Sequence, residues 1–163
     1  MTGGMTGGVT GDPPILAGHA AWAALAAPPP GMAFAREEGR LDPAEFTAVV
    51  RASGLVRPVD DAARMAAMLA GSNLVVTARD AAGRLAGVAR SFTDFAYGCY
   101  LSDLCVDPAF QGQGVGRALI AETKRIIGPG CMLLLLSAPD PMTWYPKLGM
   151  EAVANGFIIR RDA

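Results

Sequence analysis

The sequence predicts a mixed α/β (α+β) sheet flanked by helices. Three observations point there. Two capped, amphipathic helical segments come first, between residues 42 and 71. Two apolar runs joined by Asp80-Ala81-Ala82-Gly83 then read as an antiparallel hairpin. Downstream come a strand, a glycine-rich loop, a helix and a fully apolar strand, an order that requires a crossover connection. With 163 residues the chain has the length of one domain, at about 150 residues each.

Each element has a local cause. Residues 1–14 carry the near-repeat Met-Thr-Gly-Gly-Met-Thr-Gly-Gly; such a segment buries too little apolar surface to offset its ordering entropy, so disorder is expected. Ile15 to Ala27 reads as a short Ala-rich helix stopped by Pro28-Pro29-Pro30. It is too short to cross a bilayer, and no Lys or Arg precedes Arg36 to make a secretory n-region. The organisation expected is an N-terminal extension over 1–30 and one domain over 31–163.

Asp42-Pro43-Ala44-Glu45 starts a helix: Asp42 caps, Pro43 takes the first helical position, and Glu45 completes a capping box. Phe46, Val49 and Val50 share one face, and Gly54 stops the helix. A second helix begins near Asp60-Asp61, shows Met65, Met68 and Leu69 as its apolar stripe, and ends at Gly71. Strands are expected at Leu74 to Ala78, Leu85 to Phe92 and Tyr97 to Val106, with Gly87 marking a bulge or a close backbone approach. A helix from Val115 to Ile127, a strand from Met132 to Leu136 and a short helix between Pro141 and Gly149 follow. Asn155-Gly156 between apolar segments signals a last hairpin.

Composition narrows the function. Fourteen Lys+Arg balance fifteen Asp+Glu, for a net charge of −1. Nucleic-acid binding and polybasic membrane attachment usually show a basic excess. One histidine, His19, and three cysteines without a C-x-x-C pair argue against a metal centre and a disulfide framework. Cys99, Cys105 and Cys131 are expected as small buried hydrophobes in a reducing, cytoplasmic setting. No G-x-S-x-G elbow occurs, and one His cannot support Ser/His/Asp hydrolysis.

The chemistry lies in Gln111-Gly112-Gln113-Gly114-Val115-Gly116-Arg117, between an apolar strand and an amphipathic helix. Alternating glycines there leave successive backbone N–H groups bare at the positive end of a helix dipole, which makes an anion site suited to a phosphate or pyrophosphate. Arg117 adds a full positive charge. The Lys and Ser/Thr of a nucleotide-binding P-loop are missing, and the glycine spacing does not fit a dinucleotide fold. Coenzyme A, whose pyrophosphate can sit on such a turn, is the third ligand class; the alternative is a flexible glycine loop with no ligand.

At this point the chain resembles the GNAT superfamily of N-acetyltransferases. Gln111-x-x-Gly114-x-Gly116 matches that family's Arg/Gln-x-x-Gly-x-Gly/Ala signature. Leu104-Cys105-Val106-Asp107-Pro108 looks like the strand leading into its loop, and Trp144-Tyr145-Pro146-Lys147-Leu148-Gly149-Met150 is similar to its aromatic-Tyr-x-Lys-Leu-Gly-Phe segment. The resemblance covers roughly Arg51 to Arg161 and is dense between Leu101 and Met150. It implies a mostly antiparallel sheet that splays open where two parallel neighbours part, with acetyl-CoA as acyl-donor cosubstrate in the cleft and no metal. It assigns Leu104, Cys105 and Val106 to the pantetheine and thioester, and Gln111, Gly112, Gln113, Gly114, Val115, Gly116 and Arg117 to the pyrophosphate end. It places Tyr145 beside the thioester sulfur. Where many members carry Asn seven residues before that Tyr, this chain has Ala138.

Attack of an amine on an acetyl thioester needs a neutral amine, a stabilised oxyanion and a proton for the leaving thiolate. Tyr145 is the expected acid, against the alternative of a core tyrosine capping a backbone group. Asp103 is the first candidate base, against a strand-end carboxylate satisfied by hydrogen bonds; Asp94 is the second, against a loop residue. Tyr97 and Tyr100 either line an acceptor pocket or pack on the sheet. The activity expected is acetyl transfer to a small-molecule or peptide amine, with a homodimer implied by the family. The alternative is a non-catalytic acyl-CoA-binding module on the same fold.

Overall fold

The computed structural model describes residues 18–162. The expected disorder of 1–14 lies outside them. The described residues divide into two compact units, 18–136 and 137–162.

The first unit opens with α1 (His19–Ala23), which buries Trp22; of the helix expected over 15–27, residues 15–17 lie outside the described residues, and among the rest it ends at Ala23. After the prolines comes a strand that sequence reading missed, β1 (Met32–Arg36). Its apolar run Met32-Ala33-Phe34-Ala35 is short, lacks β-branched residues and does not alternate with polar ones, and in the fold its five residues are half-buried or exposed, as on an edge strand. It is the edge of the sheet and pairs antiparallel with β2 (Leu74–Asp80), from Met32 opposite Asp80 to Arg36 opposite Val76. An ion cluster seals that edge: the Arg79 guanidinium donates to both Glu37 and Glu45.

Helix α2 (Pro43–Ser53) begins as expected, with Asp42 Oδ1 accepting from the N–H groups of Ala44 and Glu45. The reciprocal half of the capping box does not form, because Glu45 turns to Arg79 instead. Gly54 ends the helix at φ 76°, a left-handed conformation natural to glycine. In α3 (Ala62–Ala70), Asp61 caps the Arg64 N–H.

The sheet order is β1-β2-β3-β4-β5, with β3 (Leu85–Thr93), β4 (Gly98–Val106) and β5 (Met132–Leu135). All pairings are antiparallel except β4 with β5, the parallel pair that the crossover through α4 (Val115–Ile127) requires. The first five residues of β2 and the first seven of β3 are fully buried, because helices cover both faces. On one face Phe46, Val49, Val50, Met65 and Leu69 pack with Val75, Val88 and Cys105. On the other lies α4, whose N-terminal half buries Val115, Ala118, Leu119 and Ile120; α1 packs on it. Gly87 marks a close approach: a Cβ there would sit 2.9 Å from the Cys105 carbonyl oxygen and 3.1 Å from Leu119 Cδ1. A bulge adjoins it as well: Ala78 lies opposite Gly87 and Arg79 opposite Leu85, which leaves Ala86 as the extra residue, and a second bulge lies at Arg90/Ser91.

In the second unit, a 3₁₀ turn (Asp140–Thr143) leads into α5 (Trp144–Lys147). The Tyr145 carbonyl accepts from the Leu148 and Met150 N–H groups, and Gly149 leaves the helix at φ 84°. The hairpin expected at Asn155-Gly156 does not form: no strand occurs in 150–162, and Phe157 and Ile159 are almost fully exposed. An isolated two-stranded hairpin is marginal in water, so the turn signal alone is not sufficient.

Candidate functional site

The register of β4 creates the site. β5 pairs only with Gly98 to Leu101, so Ser102 to Val106 have no partner on that side. The parting begins where β4 bulges: Arg90 lies opposite Asp103 and Ser91 opposite Leu101, with Ser102 as the extra residue. This leaves a free strand edge that includes Leu104, Cys105 and Val106.

From Val106 the chain passes through a 3₁₀ turn (Pro108–Phe110) capped by Asp107, which accepts from the Ala109 N–H at 2.9 Å and pairs with Arg84 at 2.8 Å. The Ala109 N–H and the Arg84 guanidinium hold the Asp107 carboxyl below its usual range. Gln111 folds back, its Nε2 donating to the Val106 carbonyl at 2.9 Å. Gly112 and Gly114 take φ of 74° and 84°. Gly114 is the N-cap of α4 and offers no side-chain acceptor; the first bond of the helix is Ala118 N–H to Gly114 O at 3.0 Å. Among the described residues nothing accepts from the backbone N–H groups of Gly112 to Arg117. A Cβ at Gly112 or Gly114 would meet nothing within 4 Å, so the left-handed backbone, not packing, is what favours glycine at both positions. Unpaired donors at the positive end of a 13-residue helix make an anion cradle, and Arg117 stands exposed at the same end.

The cysteines on the sheet are not nucleophiles. Cys105 is 3 % exposed, and burial pushes its thiol up to about 12. All three are free and buried.

The two expected bases sit in unsuitable places. Asp103 is completely enclosed, with one carboxylate oxygen 2.5 Å from Arg57 Nε and the other 2.5 Å from Arg90 Nε. Both guanidinium groups also hold the bulge, Arg57 at the Ser102 carbonyl and Arg90 at the Ser102 hydroxyl. A base needs a lone pair facing its substrate, and here guanidinium occupies both oxygens. Sequence reading missed Arg57 and Arg90 as its partners. Asp94 sits in the β3–β4 turn, where Oδ1 accepts from Ala96, Tyr97 and Gly98; these donors hold its carboxyl below the usual range and make it a weaker base.

Tyr145, in the second unit, is half-buried and packs edge-on against Trp144 with ring centroids 5.1 Å apart. Burial pushes its phenol up, so it is protonated at neutral pH. Where the resemblance has Asn, Ala138 offers only its carbonyl, which accepts from Ser137 Oγ. Among the described residues no group of three or more His, Cys, Asp or Glu is arranged to hold a metal, and no helix is long and apolar enough to cross a membrane.

Comparison with known proteins agrees with this geometry. A family model described as an acetyltransferase (GNAT) domain matches residues 70–151. A Glycine max protein named histone acetyltransferase TAP1 is 37 % identical over 78 residues, covering 45 % of this chain and 32 % of that protein. An Arabidopsis thaliana protein named GCN5-related N-acetyltransferase 2, chloroplastic, is 36 % identical over 78 residues, covering 45 % and 29 %. The chain thus spans about a third of the length of these curated relatives. Among solved structures, a putative acetyltransferase from Deinococcus radiodurans aligns with a TM-score of 0.65 at 20 % identity, over 81 % of this chain and 90 % of that one. An aminoglycoside N-acetyltransferase in complex with CoA aligns with a TM-score of 0.60 at 19 % identity, over 81 % and 95 %. At these identities the structures show a shared fold.

Proposed function

This chain belongs to the GNAT acetyltransferases, and from that premise we propose that it transfers an acetyl group from acetyl-CoA to a primary amine by direct attack. The observation that carries the proposal is the row of unpaired N–H groups from Gly112 to Arg117, set directly after a strand edge left free by the β4–β5 parting. Such a cradle fits a pyrophosphate, and a bare strand edge fits the amide groups of a pantetheine arm. The bound cosubstrate supplies an activated acetyl group as a thioester.

In this reading Gly112 and Gly114 hold the loop open, and Val115, Gly116 and Arg117 point N–H groups at the anion. Gln111, bonded to the Val106 carbonyl, and Gln113, bonded to the Ala109 carbonyl, brace the loop. Leu104, Cys105 and Val106 form the free edge; the Val106 carbonyl is taken by Gln111, and the edge's other outward backbone groups are offered to the pantetheine arm. Asp103 is a positioning residue: with Arg57 and Arg90 it fixes the bulge from which that edge departs. Tyr145 is the acid that returns a proton to the leaving thiolate; burial keeps its phenol protonated but makes it a weaker donor, so transfer requires the hydroxyl within hydrogen-bond reach of the sulfur. With Asp103 and Asp94 both engaged, the acceptor gives up its ammonium proton to solvent.

The test is release of free CoA over a panel of amines, with a no-amine control because the chain carries three cysteines. Amine-dependent release with acetylated product is expected. Tight acetyl-CoA binding without release to any amine would favour the non-catalytic acyl-CoA-binding module instead.

A further inference from the structure

Beside the free edge lies a shallow cleft of about 590 Å³, widely open to solvent and floored by β3, β4, β5 and the turn after α3. Its floor follows from the register. Phe92 lies opposite Tyr100, and Tyr100 opposite Leu134, so three apolar side chains form one row across three strands. Strands stand about 4.8 Å apart, which makes the row roughly 10 Å long. Met132 continues it beside Gly98, which has no side chain to fill the space. These residues are 36–58 % exposed, although they sit on the sheet face that α2 and α3 cover elsewhere. At the far end stands Asp94, the only charged residue lining the cleft among the described residues. One of its oxygens is fixed by three backbone N–H groups, which keep it ionised at neutral pH. At the near end Tyr100 is two residues, or about 7 Å, from Ser102, where the edge of β4 becomes free.

We infer that this cleft holds the acceptor, and that the acceptor is a primary amine on an apolar body without a carboxylate. The inference rests on the acetyl-transfer reading for its role. The volume suits a small molecule, and the Phe92–Tyr100–Leu134 row suits an aromatic or aliphatic chain. Asp94 acts at a distance, because the reacting amine lies at the Ser102 end: its charge draws a cation into the cleft and repels an acid, so free amino acids are disfavoured although they carry the same amine. The nearby guanidinium of Arg90, 5.2 Å from the Phe92 ring, is paired with Asp103.

A matched pair of probes isolates the claim: 2-phenylethylamine and phenylalanine differ only by a carboxylate. Binding is read by saturation-transfer NMR and turnover by CoA release, on the full chain. The amine should bind, and its kcat/KM should exceed that of phenylalanine by about tenfold or more, a difference of about 1.4 kcal/mol. Asp94→Asn keeps an oxygen for the turn and removes the charge; it should shrink the preference about threefold or more. Tyr100→Ala should raise KM for 2-phenylethylamine about tenfold, through lost aromatic contact. Equal or better use of phenylalanine, or a preference that Asp94→Asn does not move, overturns the inference and leaves acetyl transfer standing. Selective binding that Asp94→Asn weakens, with no CoA release to any amine, overturns acetyl transfer and leaves the cleft as an amine site.

Discussion

At the scale of single residues, the proposed mechanism gives Asp103 and Tyr145 opposite roles, one structural and one chemical. Asp103 is buried between two guanidinium groups. Asp103→Asn keeps its shape but leaves buried positive charge uncompensated, and breaking such a pair typically costs about 3–5 kcal/mol. Denaturant unfolding should show a loss of that size, with acetyl-transfer activity falling only as far as the folded population does. Full stability combined with loss of turnover at every amine would restore Asp103 as the base. Tyr145 should behave in the opposite way. Tyr145→Phe keeps the ring that packs on Trp144 and deletes only the hydroxyl. Acetyl-CoA binding should be retained, while kcat falls about 10²–10⁴-fold, the usual range for general acid catalysis. Wild-type kcat under conditions where chemistry limits the rate would remove Tyr145 from the mechanism. Asp103 also shows what sequence reading could have used. Arg90 stands inside an apolar strand run, and a buried arginine requires a partner. The second partner, Arg57, is 46 residues away in a loop, and no local pattern marks it.

Among the elements, β4 does the most. It pairs β3 along its length, pairs β5 over four residues, and gives its remaining edge to the site. Its closeness to β3 and α4 depends on Gly87, where a Cβ would meet the Cys105 carbonyl at 2.9 Å. Gly87→Ala should therefore destabilise the fold by about 1–3 kcal/mol, the usual range for overpacking, read as a lower unfolding midpoint. An unchanged midpoint would mean that the two strands part freely there. Elements with strong local causes were legible in the sequence. Asp42 and Gly54 bracket α2 as their chemistry dictates, and the glycine loop leads into α4 at Val115. Elements without such causes were not. β1 is an edge strand held by its pairing with β2 and by the Glu37–Arg79–Glu45 cluster, and those contacts are distant in sequence. The cleft floor was illegible for the same reason: register brings Phe92, Tyr100 and Leu134 into one row, and register is a tertiary property.

For the molecule as a whole, fold, family and loop chemistry converge. The family model spans the sheet from before β2 to beyond α5, and the residues that hold the proposed cosubstrate lie inside it. They meet in the proposal that the Gly112–Gly116 turn binds the pyrophosphate of acetyl-CoA. It is tested most directly by calorimetric titration of acetyl-CoA and of acetyl-pantetheine, which lacks pyrophosphate and nucleoside, against the wild-type chain and Gly114→Val. Gly114 stands at φ 84°, a conformation that costs a residue with a side chain about 1–2 kcal/mol, and its Cβ would project from the cradle. In the wild type, acetyl-CoA should bind about 10²-fold or more tighter than acetyl-pantetheine, since each charge-assisted hydrogen bond is worth about 1.5–3 kcal/mol. In a folded Gly114→Val chain that ratio should fall at least about tenfold, through weaker acetyl-CoA binding alone. Equal binding of the two compounds by the wild type, or a ratio that Gly114→Val leaves intact, would mean that the turn does not hold the pyrophosphate.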